Sequence, residues 1–182
     1  MRANLELKAR CADLALARER AREIATAWLG VDEQVDTYFT TRAGRLKLRE
    51  SSLSGAQLIP YFRADEPSAR RSDYQVIPVE DGAGLARMLG AMLGVHRVVR
   101  KQREIGLYRN VRIHLDRVEG LGNFLELEAV WDGAEAGRAE EQRKLAFLRE
   151  RLGMRDEDLV AGGYEALLAP GADPQRARKS SA

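Results

Sequence analysis

Asn4-Leu5-Glu6-Leu7-Lys8, Arg45-Leu46-Lys47-Leu48-Arg49 and Phe124-Leu125-Glu126-Leu127-Glu128 share one pattern: polar or charged side chains on alternate positions with leucines between them. In a β-strand alternate side chains share a face. The first segment therefore aligns Glu6 with Lys8, the second Arg45, Lys47 and Arg49, and the third Glu126 with Glu128, each backed by an aliphatic face. If such faces curve toward one another, they enclose carboxylates suited to a divalent cation and cations suited to a polyphosphate.

On a single strand this alternation is what the wet side of an antiparallel sheet looks like. Here it recurs at Lys101 and Arg103 and again at Arg112, His114 and Asp116, while the complementary positions are mostly Leu, Ile and Val. Covering those apolar faces with helices leaves the polar faces to line a closed sheet from within, which also removes exposed strand edges. The expected fold is α+β: a closed antiparallel β-barrel forming a charged tunnel, with amphipathic helices packed outside. Cations crowded into such an interior need carboxylates, metal ions or an anionic ligand to offset their repulsion.

With 182 residues and 45% hydrophobic content, the chain is expected to form a single domain over residues 1–168, followed by a disordered tail at 169–182. Lys and Arg number 30 against 28 Asp and Glu, a balance of +2 that gives no general affinity for nucleic acid, so any strong positive field is local. Cys11 is the single cysteine, which excludes an internal disulfide and fits a reducing compartment. No stretch approaches the roughly 20 apolar residues of a membrane span, and a cytoplasmic protein is expected.

Periodicity predicts a helix from about Asp13 to Trp28, terminated by Gly30, and strands at Gln34 to Thr41 and Arg45 to Glu50 joined by Arg42-Ala43-Gly44. Gln57 to Arg63 reads as a strand whose Pro60 requires an edge or a bulge, 64–70 as a flexible connection, and Ser72 to Val79 as strand again. Asp81 caps a second helix that ends near Gly94. Strands at Val95 to Gly106, Leu107 to Val118 and Gly122 to Val130 follow, then a helix over Arg138 to Leu152 and a short one at Tyr164 to Leu168.

Asn4-Leu5-Glu6-Leu7-Lys8 resembles the ExExK opening of the CYTH superfamily, the triphosphate tunnel metalloenzymes. Gly44 to Glu50, Arg112-Ile113-His114-Leu115-Asp116, and Glu119-Gly120-Leu121-Gly122 leading into Phe124 to Glu128 are similar to later family segments in the same order. The chain looks most like the class IV adenylyl cyclase-like branch, which includes phosphohydrolases. The resemblance implies a barrel of about eight strands, a triphosphate held by inward Arg and Lys, and one or two Mg²⁺ or Mn²⁺ ions. Asn4 departs from it: where the family has its first glutamate, this chain keeps an oxygen ligand but loses a negative charge.

Glu6, Glu126 and Glu128 are the candidate metal ligands, with Asp116 completing the shell, because hard cations prefer carboxylate oxygens. Lys8, Lys47, Arg49, Arg63, Lys101, Arg103 and Arg112 are the candidate phosphate grips, and Lys8, Lys47, Arg49 and Arg112 are those assigned to catalysis. His114 is read as a neutral histidine bonded to a carboxylate. The substrates in view are ATP, converted to cyclic AMP and pyrophosphate, or inorganic, thiamine or nucleoside triphosphate, cleaved by water. A non-catalytic polyphosphate-binding module is the alternative from another class. A homodimer is compatible with all of these.

Overall fold

The structure, a computed structural model, describes residues 2–63 and 70–168. Among the described residues there are nine strands: β1 (Arg2–Arg10), β2 (Ala27–Phe39), β3 (Arg45–Ser51), β4 (Gly55–Arg63), β5 (Arg70–Tyr74), β6 (Ile77–Val79), β7 (Val95–Tyr108), β8 (Val111–Val118) and β9 (Gly122–Trp131). The described residues also form the α-helices α1 (Leu14–Ile24), α2 (Gly82–Leu93), α3 (Glu135–Leu152) and α4 (Tyr164–Leu167). The wall runs β3-β2-β7-β8-β9-β1-β5-β4, and β4 pairs back onto β3 to close an eight-stranded antiparallel barrel, with β6 added beside β4. The expected tail at 169–182, and all but the last residue of the 64–70 connection, lie outside the described residues.

The apolar core lies outside the barrel. Leu5, Leu7 and Ala9 of β1, Val111, Ile113 and Leu115 of β8, and Leu125, Leu127 and Ala129 of β9 pack under Leu14, Ala17 and Ala21 of α1 and Leu145, Leu148 and Leu152 of α3. Each of these strands thus buries both faces, one against helices and one into the tunnel. Helix α2 does not share in this: only Gly82 is buried, while Met88 and Met92 are exposed.

Three local expectations are corrected. Helix α1 begins after its Asp13 cap, which accepts from the amides of Ala15 and Leu16, but it stops at Ile24 rather than Trp28. The Thr26 amide bonds to Leu107, and the Trp28 ring lies over Gly106, where a Cβ would meet it at 2.7 Å. Burying that indole against β7 outweighs one more helical turn. Gly30 accordingly sits inside β2, at φ +101, beside a shift of register.

The second correction concerns β7, which runs through Gly106 to Tyr108, so the hairpin turn falls at Arg109 and Asn110. Asn110 anchors that turn by donating to Val130 O and to Glu141 of α3. The third divides the 72–79 region into β5 and β6. Pro60 faces the gap between them, and its carbonyl accepts from the Gln75 amide at 3.1 Å. A strand residue's N–H and C=O point to the same side, so the missing donor of Pro60 lies where no neighbouring strand asks for it.

Candidate functional site

The inward rows of the wall strands meet in one cavity, lined among others by Asn4, Glu6, Lys8, Asp36, Lys47, Arg49, Arg63, Lys101, Arg103, Glu126 and Tyr164. Strand alternation puts them there: Asn4, Glu6 and Lys8 point in while Leu5 and Leu7 point to the helices.

Each carboxylate that lines this cavity, Glu6, Asp36 and Glu126, faces a cation. Glu126 receives Lys8 Nζ at 2.8 Å, Arg103 Nη2 at 3.2 Å and His114 Nδ1 at 3.2 Å. Burial works against its ionised form, but Lys8, Arg103 and His114 prevail and hold its carboxyl well below the usual range. Burial and the nearby Arg103 push the His114 pKa down, which keeps the ring neutral. A carboxylate only accepts, so His114 donates from Nδ1 to Glu126. Glu6 pairs with Arg63 Nη1 at 2.6 Å. Arg103 grips Asp116 through Nε at 2.7 Å and Nη2 at 2.5 Å, and Tyr164 donates its hydroxyl to the same carboxylate at 2.6 Å. Lys8 Nζ stands 3.7 Å from the centre of the Tyr164 ring.

Three of the sequence-derived residues, Arg112, Asp116 and Glu128, do not line the cavity. Arg112 is exposed at the rim, 3.3 Å from Glu128, and does not line the cavity. Asp116 is fully buried beneath the cavity, its oxygens committed to Arg103 and Tyr164. Glu128 lies between Arg112 and the Asn4 side-chain amide.

Sequence reasoning missed Asp36, Tyr164 and Glu165. Asp36 accepts from Arg49 Nε at 2.7 Å and Nη2 at 2.8 Å, from Lys101 at 2.7 Å and from Lys47 at 3.3 Å. Glu165 lies 3.4 Å from Arg45 and 3.9 Å from Arg63. Tyr38 and Tyr61 flank Lys47, whose Nζ is 5.6 Å and 5.8 Å from their ring centres. With Phe124, Val99, Val118, Tyr164 and Leu168 they form an apolar cluster at the end of the barrel where α4 lies.

Among the described residues no three His, Cys, Asp or Glu side chains gather as a metal shell. The donors for a hard ion are nevertheless present. Asn4 gives its Nδ2 to Glu128, and its Oδ1 is buried without a partner. Glu6 stands directly opposite Glu128 in the β1–β9 register. Asn4 Oδ1, Glu6 and Glu128 are thus of the oxygen-donor type that a hard divalent cation takes.

A closed antiparallel tunnel with acids and bases converging inside it defines a charged β-tunnel protein. The chain belongs to the CYTH domain family, which matches residues 2–164. Members of that family are generally metal-dependent, triphosphate-processing enzymes. No functionally curated protein matches the chain.

Among solved structures, PH1012 of Pyrococcus horikoshii OT3 superposes with a TM-score of 0.78 at 24% identity, over 91% of this chain and 99% of that one. A Vibrio parahaemolyticus protein named as a candidate adenylate cyclase gives 0.69 at 22% identity, over 92% and 98%. HpAC1 of Hippeastrum, named as a candidate adenylyl cyclase and described as having a dominant triphosphatase activity, gives 0.59 at 14% identity, over 99% and 96%. At these identities the likeness is one of fold.

Proposed function

We propose that the protein is a triphosphate-processing enzyme of the class IV adenylyl cyclase-like kind, converting ATP to cyclic AMP and pyrophosphate. The observation that carries this reading is the convergence of Lys8, Lys47, Arg49, Arg63, Lys101 and Arg103 on one cavity. Such a density of cations suits a chain of phosphates, with arginine forks gripping two oxygens and lysines acting as point charges. The cations are held now by Asp36, Glu6, Glu126 and Asp116. A triphosphate entering the cavity takes over part of that pairing. Tyr38, Tyr61 and Tyr74, with Ile59 and Val76, give the cavity a second wall that is aromatic and aliphatic, suited to the flat face of a base.

Asn4, Glu6 and Glu128 are the residues that would hold Mg²⁺ or Mn²⁺. When bound, the ion offsets phosphate charge against an incoming nucleophile. Charge builds on phosphoryl oxygens as the bond breaks, so positioned cations supply most of the acceleration, with Lys8, Lys47 and Arg49 foremost. Glu126 serves to hold Lys8, Arg103 and His114 at their posts.

Hydrolysis of a triphosphate to orthophosphate is the second reading. The cationic row by itself makes a complete phosphate site, and cleavage of a terminal phosphate asks nothing of the aromatic wall. One assay separates these: incubation with ATP, inorganic triphosphate or thiamine triphosphate and either metal, resolving cyclic AMP, pyrophosphate and orthophosphate. Cyclic AMP with pyrophosphate supports the first reading, and orthophosphate from any of the three supports the second. Binding without turnover identifies a non-catalytic polyphosphate module.

A further inference from the structure

Asp36 is 1% exposed, and its carboxylate is surrounded by cations. Strand β2 lies between β3 and β7, so this side chain collects Lys47 and Arg49 from one neighbour and Lys101 from the other. Three like charges at such separations repel, and lysine side chains carry several rotamers, so an empty tunnel would scatter them. Two carboxylate oxygens instead bind all three while cancelling one charge, which leaves a net positive group beside the cavity.

We propose that Asp36 is a positioning residue for triphosphate recognition: a built-in counter-anion that holds Lys47, Arg49 and Lys101 in one fan, and favours the charged form of both lysines, before any ligand arrives. The proposal rests on the triphosphate site argued above. Charge balance around Lys101 supports it. Burial pushes the Lys101 ammonium down to about 7, Asp36 holds it up, and Arg49, Arg103 and Lys47 press it further down. Lys47 is pushed down to about 8, first by burial and then by Arg49, against the pull of Asp36. The other groups facing Lys101 are Asp116 of β8 and the Tyr164 ring of α4, whose hydroxyl is committed to Asp116. Asp36 is thus the one carboxylate in direct contact with Lys101 among the described residues.

The test is the dissociation constant of inorganic triphosphate, measured by titration calorimetry from about pH 5.5 to about pH 8.5, with melting temperatures recorded alongside. Wild-type affinity should hold up to about pH 7 and fall above it as Lys101 loses its proton. In Asp36→Asn that break should move down by about one pH unit or more, weakening binding about tenfold at neutral pH. Adding Lys101→Met should remove the shifted break. A role confined to folding lowers the melting temperature and leaves the break in place, and that result overturns the proposal.

Asp36→Glu keeps the charge but displaces it by one methylene, and it serves if Asp36→Asn does not fold. Binding weakened about tenfold with a wild-type pH profile supports positioning; wild-type affinity overturns it. A wild-type protein that binds no triphosphate at any pH sinks the proposed function itself, and this inference with it, in an arm that needs no variant.

Discussion

Glu6 and Arg63 meet at 2.6 Å although their strands, β1 and β4, are not neighbours: β5 lies between them in the wall. A pair that skips a strand has to form inside the barrel, so both side chains point inward. The same contact ties the first strand of the chain to the fourth, and it places Arg63, one of the candidate phosphate grips, beside a candidate metal ligand.

Glu128→Gln should remove turnover in the product assay while far-UV circular dichroism stays unchanged. The residue lies near the rim with Asn4 and Arg112, and an amide preserves its shape but not its charge. Glu126→Gln should also stop turnover, but with a lower melting temperature. It leaves Lys8 and Arg103 buried against a neutral group, a loss of about 3–5 kcal/mol when a buried pair is broken. Full activity in both variants would remove the assignment.

Asn4→Glu tests the ligand set from the other direction. Asn4 Oδ1 is buried without a partner beside Glu128, so a carboxylate there should lower the metal concentration that gives half-maximal activity. An unchanged metal titration puts Asn4 outside the coordination shell.

Lys47→Ala should raise KM for the triphosphate by about tenfold or more with a smaller effect on kcat, because it removes a point charge from the ground-state grip. Equal losses in kcat and kcat/KM would make Lys47 a group that acts in the transition state alone.

Stability should rise with pH above neutrality in the unliganded protein. Lys101 and Lys47 have native values of about 7 and about 8 against 10.5 in an unfolded chain. Between those limits the unfolded state binds more protons than the native one, so unfolding becomes less favourable as pH increases. A melting curve series from about pH 7 to about pH 9.5 should show this. Added inorganic triphosphate should raise the melting temperature most at the low end, where both ammonium groups are charged.

Tyr164→Phe removes the hydroxyl that donates to the buried Asp116 and should destabilise the fold by about 1–3 kcal/mol in urea unfolding. The ring under Lys8 stays in place. No change in stability would mean that Arg103 alone satisfies Asp116.

The barrel was legible because Leu5 and Leu7, or Leu125 and Leu127, alternate cleanly with charges that point the other way. Asp36 was not. On β2 the inward row Asp32, Gln34, Asp36 is matched by an outward row containing Glu33 and Thr37, so a period of two carries no contrast there. Tyr164 escaped for a different reason: it reaches Asp116 across 48 residues of chain from a single-turn helix with no motif of its own. The long first helix was overread because Trp28 fits a helical apolar stripe as well as it fits the face of Gly106. Arg112 shares its strand face with His114 and Asp116, but alternation tells which way a side chain points, not how far along the lumen it stands.

Each of the eight wall strands has a partner on both sides, so the hoop has no seam through which it can widen. Accommodation of a guest therefore falls to the contents and not to the container: side chains swivel while the staves stay put. A base that turned toward an arriving phosphate would let go of an acid, so filling the tunnel would trade internal ion pairs for pairs with the guest.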